Sequence, residues 1–280
     1  MNQAAVIYEQ LIERFVRWAE TCPDIRAAVI VGSRARVDHP ADEWSDLDLI
    51  VITTDPERYL SRTDWLENIG NPWLTLLERT ATGDEMERRV LFEGGLDVDF
   101  VLLPRKRVPQ LIQDAPVADI IRRGMRVLLD KDEIVPQLTL PPAEASSAHP
   151  PTQHEFLQVI NDFWYHAVWT VKKLRRGELW TAKGCSDAYM KWLLLRMLEW
   201  HARAANGWDY DTWHGGRFLE QWAEPRVLEA LRDVFAHYGE EDIWHALLAT
   251  MDMFRWLATE TAERVTAWVR RQSLCPLRQS

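Results

Sequence analysis

The chain has 280 residues, 47% hydrophobic and 27% charged, an ordinary globular composition that excludes a disordered or collagen-like protein. It carries 33 Lys and Arg against 43 Asp and Glu, for a net charge of -10, which disfavours a general nucleic-acid binder because such a protein needs a basic face. No apolar run is long enough to span a bilayer, and Cys22, Cys185 and Cys275, widely spaced and without a C-x-x-C pair, fit neither a disulfide framework nor a structural zinc site.

From the N terminus, Val6, Ile7, Leu11, Ile12, Phe15 and Trp18 recur at helical spacing and predict an amphipathic helix over 4–19. Glu9, Glu13 and Arg14 interrupt that segment, so it does not read as a secretory signal, and a reducing cytoplasm is the expected compartment. The apolar run 25–31, closed by Gly32, predicts a buried strand, and 48–53 a second. Pro56 suits the first turn of a helix predicted to run toward Gly70. Segments 73–78, 88–93 and 98–103 predict further strands, with Gly94 and Gly95 as a hairpin turn between the last two.

A stretch rich in Pro, Ala and Ser follows, containing Pro136, Pro141, Pro142, Pro150 and Pro151. It predicts a linker over 136–152 that separates a domain over 1–135 from one over 153–280. Beyond it, 154–176, 186–206, 224–238 and 240–271 place apolar residues at three- and four-residue intervals, and Gly177, Gly184, Gly207, Gly215 and Gly216 punctuate the pattern near expected helix ends. Residues 1–150 hold 17 basic and 26 acidic residues but only 4 of the 15 tryptophans; 151–280 hold 16 and 17, with 11 tryptophans. The expected fold is therefore α+β, an N-terminal mixed-sheet α/β domain joined to a C-terminal helical bundle. Most of the tryptophans and histidines are expected to be packing or surface residues.

The stretch from Val31 to Thr53 carries the chemistry. Gly32 and Ser33 close one strand, and Asp46-x-Asp48 opens the next, where a period of two sends both carboxylates to one face. Two such charges repel unless a cation lies between them, and magnesium, which favours oxygen ligands shared with phosphates, supplies it. Glycine lets the backbone approach a phosphate, and the Ser33 hydroxyl can donate to it. Asp99, inside an apolar run, offers a third carboxylate; Asp97 is the weaker candidate because it sits nearer the hairpin turn. Three carboxylates around metal suit in-line nucleotidyl transfer.

The Gly32-Ser33-Arg34, Asp46-Leu47-Asp48 and Val98-Asp99-Phe100 pattern resembles the nucleotidyltransferase superfamily of DNA polymerase β type. Over almost its full length the chain more closely resembles the aminoglycoside 6-adenylyltransferases, also called streptomycin adenylyltransferases. The residues that carry this are Leu91-Phe92-Glu93, Asn161-x-Phe163-Trp164, Lys172 with Arg176 and Glu178, Leu195 to Trp200, and Gly216-Arg217-Phe218-Leu219. Unrelated nucleotidyltransferases lack the helical motifs, which makes them the more specific signal. Gly94 and Asp97 stand where the family often carries an acidic and a basic residue, Leu47 where an aromatic one is common, and Lys173 where a small one is usual. The carboxylates Asp46, Asp48 and Asp99 are all present.

The resemblance implies an N-terminal nucleotidyltransferase domain and transfer of AMP from MgATP to the streptidine 6-hydroxyl of streptomycin, releasing pyrophosphate. On that basis Gly32, Ser33 and Arg34 would hold the triphosphate, with Lys172 reaching it from the helical domain and Arg217 as a further phosphate contact. Asp46 and Asp48 would bind magnesium, and Asp99 would complete the cluster, touch metal and act as general base. Glu93, Trp164, Glu178 and Asp187 are candidates to contact the acceptor. The expected partners are ATP and a cationic aminoglycoside, with no nucleic acid and no membrane, and the expected state is a monomer. Streptomycin is polycationic, and an acidic sheet domain attracts it.

Two readings compete with this one. An enzyme of the same fold could modify another small-molecule or protein hydroxyl. A nucleotide-binding module without turnover would be expected to have lost an acidic ligand, yet Asp46, Asp48 and Asp99 all remain. Polynucleotide extension would need clustered Lys and Arg to neutralise a primer, and no such run dominates.

Overall fold

The N-terminal periodicity closes into α1 (Gln3–Thr21), and the chain continues through β1 (Ile25–Val31), β2 (Leu47–Thr53), α2 (Pro56–Ser61), β3 (Pro72–Arg79), β4 (Met86–Phe92) and β5 (Leu96–Pro104), with β-branched residues concentrated in β1 and β2. The short α3 (Val108–Leu111), α4 (Ala115–Arg123), β6 (Arg126–Asp130) and α5 (Val135–Leu138) complete this part. These elements come from a computed structural model that describes residues 3–36, 41–80, 85–111, 115–138 and 149–273. The chain divides into two units, Met1–Ala143 and Glu144–Ser280. Most of the predicted linker, and Cys275, lie outside the described residues.

The sheet of the first unit is six-stranded, in the order β3-β4-β5-β2-β1-β6. β2 and β5 run parallel and the other neighbours antiparallel, so the sheet is mixed. Apart from Arg26 near its start, β1 is apolar because both of its faces are covered. Ile25, Ala28 and Ile30 pack with Leu11 and Phe15 of α1, while Ala27, Val29 and Val31 pack with Val117 and Ile121 of α4. The periodicity does not single out β6, a five-residue strand at the sheet edge.

Pro56 opens α2 as predicted, and the Asp55 side chain caps it by accepting from Arg58 N at 3.2 Å. The helix nevertheless stops at Ser61 instead of running toward Gly70. Its last carbonyls go to side chains: buried Arg88 on β4 donates through Nε to Tyr59 O at 3.1 Å and through Nη2 to Leu60 O. Trp65 Nε1 donates to Arg62 O at 2.9 Å. The early exit seats Trp65 in a stack on Trp18, ring centroids 5.2 Å apart, and edge-on to Phe100 at 5.1 Å.

The second unit contains α6 (Gln153–Arg175), α7 (Leu179–Gly184), a π-helical turn at Cys185–Tyr189, α8 (Met190–Asn206), α9 (Leu219–Trp222), α10 (Pro225–Ala230) and α11 (Glu240–Ser273). A capping box starts α6: Thr152 Oγ1 accepts from Glu155 N at 3.2 Å, and Glu155 Oε2 accepts from Thr152 N at 2.8 Å. Phe163 stacks on Phe254 at 3.6 Å in a core with Leu194, Met197, Leu247 and Leu257. Trp200, Trp208 and Trp213 are buried or partly buried, whereas Trp180 and Trp192 are exposed.

Two helix predictions need correction here. Gly184 is the last residue of α7, but the chain does not break there, because a π-helical turn carries it directly into α8, and Lys191 Nζ donates to the turn's Ser186 O at 2.9 Å. The helix predicted over 224–238 is only α10. Beyond it the carbonyls of Val234 and Ala236 accept from Thr250 Oγ1 and Lys183 Nζ, so this segment trades helical hydrogen bonds for ties to α11 and α7. Among the described residues no helix is long and apolar enough to cross a membrane.

Candidate active site

Strand register builds the site. Val31 on β1 pairs with Asp48 on β2, Asp48 with Asp99 on β5, and Asp99 with Arg89 on β4, giving one row across four strands. The row lies on the sheet face away from α1, because the alternate residues Val31, Ile52 and Leu103 belong to the core that α4 covers. Asp46 falls just before β2, yet an oxygen from each of Asp46, Asp48 and Asp99 lies within 4.8 Å of the others. These are the three carboxylates expected together from the sequence, and the structure gathers them.

Arg34 holds Asp46 in place. Its Nε donates to Asp46 O at 2.8 Å and its Nη2 to Ser45 O, while the guanidinium sits 3.5 Å from the centre of the Tyr8 ring. Tyr8 Oη in turn accepts from Asp97 N at 3.1 Å. Arg34 is thus a strut from α1 to the acidic loop, with two of its nitrogens already engaged on backbone. Gly32 has φ +69°, and a Cβ there would overlap Asp48 Oδ2 and come within 3.1 Å of Asp48 Cγ. The buried Ser33 Oγ has no hydrogen-bond partner among the described residues.

The electrostatics of the row are those of charges held together against repulsion. Burial, followed by the charges of Asp46, Asp99 and Glu87, pushes the Asp48 carboxyl up to about 7, with Arg89 opposing. Asp99 is also raised by burial, although Arg89 pulls it down, and Glu87 is raised by burial and by the Asp99 charge. An all-carboxylate donor set fits a hard divalent cation such as Mg²⁺, and the unpartnered Ser33 hydroxyl fits a phosphate oxygen.

A pH dependence follows. With the Asp48 carboxyl pushed up to about 7, a metal ion that bound there would have to displace a proton below that pH. Titration with Mn²⁺ is expected to release about one proton at about pH 6 and almost none above about pH 8, with apparent affinity rising up to about tenfold per unit below 7. Calorimetry in buffers of different ionisation enthalpy measures this, and release that does not change with pH would contradict it.

The other residues named from sequence are placed as follows. Glu93 is exposed beside the hairpin, where its Oε2 accepts from Asn71 Nδ2 at 3.4 Å. In the second unit, Lys172 and Arg217 are exposed, and Arg217 lies 6.0 Å from the Phe218 ring. Trp164 packs edge-on against Phe163 at 5.5 Å. Glu178 is paired with Lys173 and Arg176, each at 2.7 Å. Asp187 is paired with Lys183 through Oδ2, and its buried Oδ1 has no partner among the described residues.

His201, Glu224 and Glu260 also come together, a grouping that their sequence spacing hides. Glu260 is already taken up by Trp256, Arg226 and Arg264, so this is an ion-pair network. The sequence reading missed Tyr8, Glu87 and Arg89. A signal for the last two existed: a turn at Gly94-Gly95 that pairs Phe92 with Leu96 sets Arg89 opposite Asp99, with Glu87 on the same face.

The chain belongs to the streptomycin adenylyltransferase family, whose model matches residues 7–272. It is 26% identical over 254 residues to an aminoglycoside 6-adenylyltransferase of Bacillus subtilis, covering 88% of this chain and 87% of that one. It is 24% identical over 259 residues to one of Campylobacter jejuni, covering 91% and 88%. A solved aminoglycoside 6-adenyltransferase from Bacillus subtilis aligns over 92% of this chain and 91% of its own, with 22% identity and a TM-score of 0.41.

Proposed function

We propose that the chain transfers AMP from ATP to a hydroxyl of an aminoglycoside in a magnesium-dependent reaction. The acceptor we assign is the 6-hydroxyl of the streptidine ring of streptomycin, and the products are adenylylated, inactive antibiotic and pyrophosphate. The observation that carries this reading is the Asp46–Asp48–Asp99 cluster behind the Gly32 turn, in a chain of this family.

Asp46, Asp48 and Asp99 would hold magnesium, which supplies positive charge to the phosphate oxygens and to the attacking oxygen. Gly32 leaves room for the Asp48 carboxylate, and Ser33 Oγ donates to a phosphate oxygen. Asp99 takes the proton from the acceptor hydroxyl, a role that suits a carboxyl raised by burial. The freed oxygen attacks the α-phosphorus in line, a new P–O bond forms, and the bond to pyrophosphate breaks with its electron pair leaving on pyrophosphate. Arg34 keeps the Asp46 loop in register throughout. The excess of acidic residues over 1–150 draws in a polycationic acceptor.

Incubation with α-labelled ATP and Mg²⁺ tests this against three samples: streptomycin, a 2-deoxystreptamine aminoglycoside, and no acceptor. Label on streptomycin alone is the expected result. Label on the other aminoglycoside alone would move the acceptor, and label on neither would contradict aminoglycoside transfer.

A further inference from the structure

Arg89 belongs to this site, yet neither the sequence motifs nor the proposed chemistry has a use for it. It projects from β4 directly opposite Asp99. Its Nε donates to Asp99 Oδ1 at 2.9 Å, its Nη1 to Glu78 Oε2 at 3.4 Å, and its Nη2 lies 3.8 Å from Asp97 Oδ2. Its side chain is 35% exposed and that of Asp99 11%, so the bond to Asp99 is shielded while the outer two pairs meet solvent. The outer carboxylates fix the planar guanidinium from β3 and β5, and the inner donor then fixes one oxygen of Asp99. Among the described residues no hydrogen bond is made to Asp99 Oδ2, which leaves that oxygen for the cluster with Asp46 and Asp48.

We infer that Arg89 is a positioning residue: clamped by Glu78 and Asp97, it holds Asp99 Oδ1 so that Asp99 presents its other oxygen to the metal ion and the acceptor. This rests on the reading of Asp46, Asp48 and Asp99 as the metal site. The arrangement has a direct physical reason. A carboxylate beside two like-charged neighbours is driven to rotate away or to take up a proton, and a fixed donor on one oxygen opposes both. Partners that hold a ligating carboxylate typically matter by about 10–100-fold in metal affinity or activity. A bare positive charge beside the site would act in the opposite sense, weakening cation binding, so the sign of the effect separates the two roles.

The test is a double-variant cycle read on Mn²⁺ binding to the full-length protein by calorimetry, alongside kcat, KM for ATP and the unfolding midpoint. Arg89→Met is expected to weaken Mn²⁺ binding and lower kcat, each about 10–100-fold, with KM for ATP within about threefold. In an Asp99→Asn background the same change is expected to alter Mn²⁺ affinity by less than about twofold, because Arg89 acts through Asp99. Arg89→Lys, which keeps the charge but cannot reach Asp99 and the outer acids together, is expected to recover little of the loss, and it serves in place of the Met variant should that fail to fold. Equal losses in both backgrounds, no loss in either, or tighter Mn²⁺ binding without Arg89 would each overturn the inference. Wild-type and Asp48→Asn proteins that bind Mn²⁺ alike would overturn the metal site itself, and the positioning role with it.

Discussion

Asp48→Asn is expected to lower kcat for AMP transfer on the order of 10³-fold while leaving the metal-free protein at least as stable as the wild type. Asp48 sits at the centre of the row, paired in register with Val31 on one side and Asp99 on the other. In the proposed reaction, loss of its charge would remove a metal ligand where negative charge must be neutralised during transfer. Stability should move the other way, because Asp48 is pushed up to about 7 chiefly by burial. With a folded-state pKa above the unfolded one, the native state retains a proton that the unfolded chain has lost. The favourable contribution of the protonated acid is present in full below about pH 4 and is lost as pH rises toward 7. Asparagine does not titrate, so the melting temperature of the variant should gain on that of the wild type across this window and hold its advantage above it. Thermal denaturation against pH, with turnover measured in parallel, checks both halves. A variant that keeps turnover within about tenfold of the wild type would remove Asp48 from the catalytic machinery.

Gly32→Ala should cost about 10²-fold or more in kcat even though no charged or polar group is removed. The added methyl would overlap Asp48 Oδ2, and the carboxylate would have to swing out of the row to make room. The φ of +69° adds backbone strain of about 1–2 kcal/mol for any residue with a Cβ. Displacement of a catalytic group by about 1 Å is enough for a loss of this size. Mn²⁺ affinity should fall together with kcat, since the ligand itself has moved. Wild-type activity in the alanine variant would mean that the Asp48 carboxylate is not needed where it stands.

Much of this site was legible in the sequence because it depends on local pattern. The Gly32 turn, the Asp46-x-Asp48 pair and the apolar run around Asp99 each advertise themselves, and the hairpin glycines locate β4 against β5. What stayed hidden depends on side chains that reach across elements. The early end of α2 is set by Arg88 from a strand far along the chain, and the unwound stretch after α10 by Lys183 and Thr250. No periodicity records such long-range partners. Arg34 is the clearest case. The family resemblance implies a triphosphate contact for Arg34, and no local pattern shows that its hydrogen bonds run to the backbone of Ser45 and Asp46 and that its face lies on Tyr8. Glu178 and Asp187, named from sequence as contacts for a cationic acceptor, are each paired with lysine in the structure, which weakens their claim to that role.

The most direct test of the account is mass spectrometry of streptomycin after incubation with the protein, ATP and Mg²⁺, with the Asp48→Asn variant in parallel. The account predicts a product heavier than streptomycin by one adenylyl group, formed by the wild type and absent with the variant. Unmodified streptomycin from a wild-type protein that binds ATP, or the same product from both proteins, would contradict it.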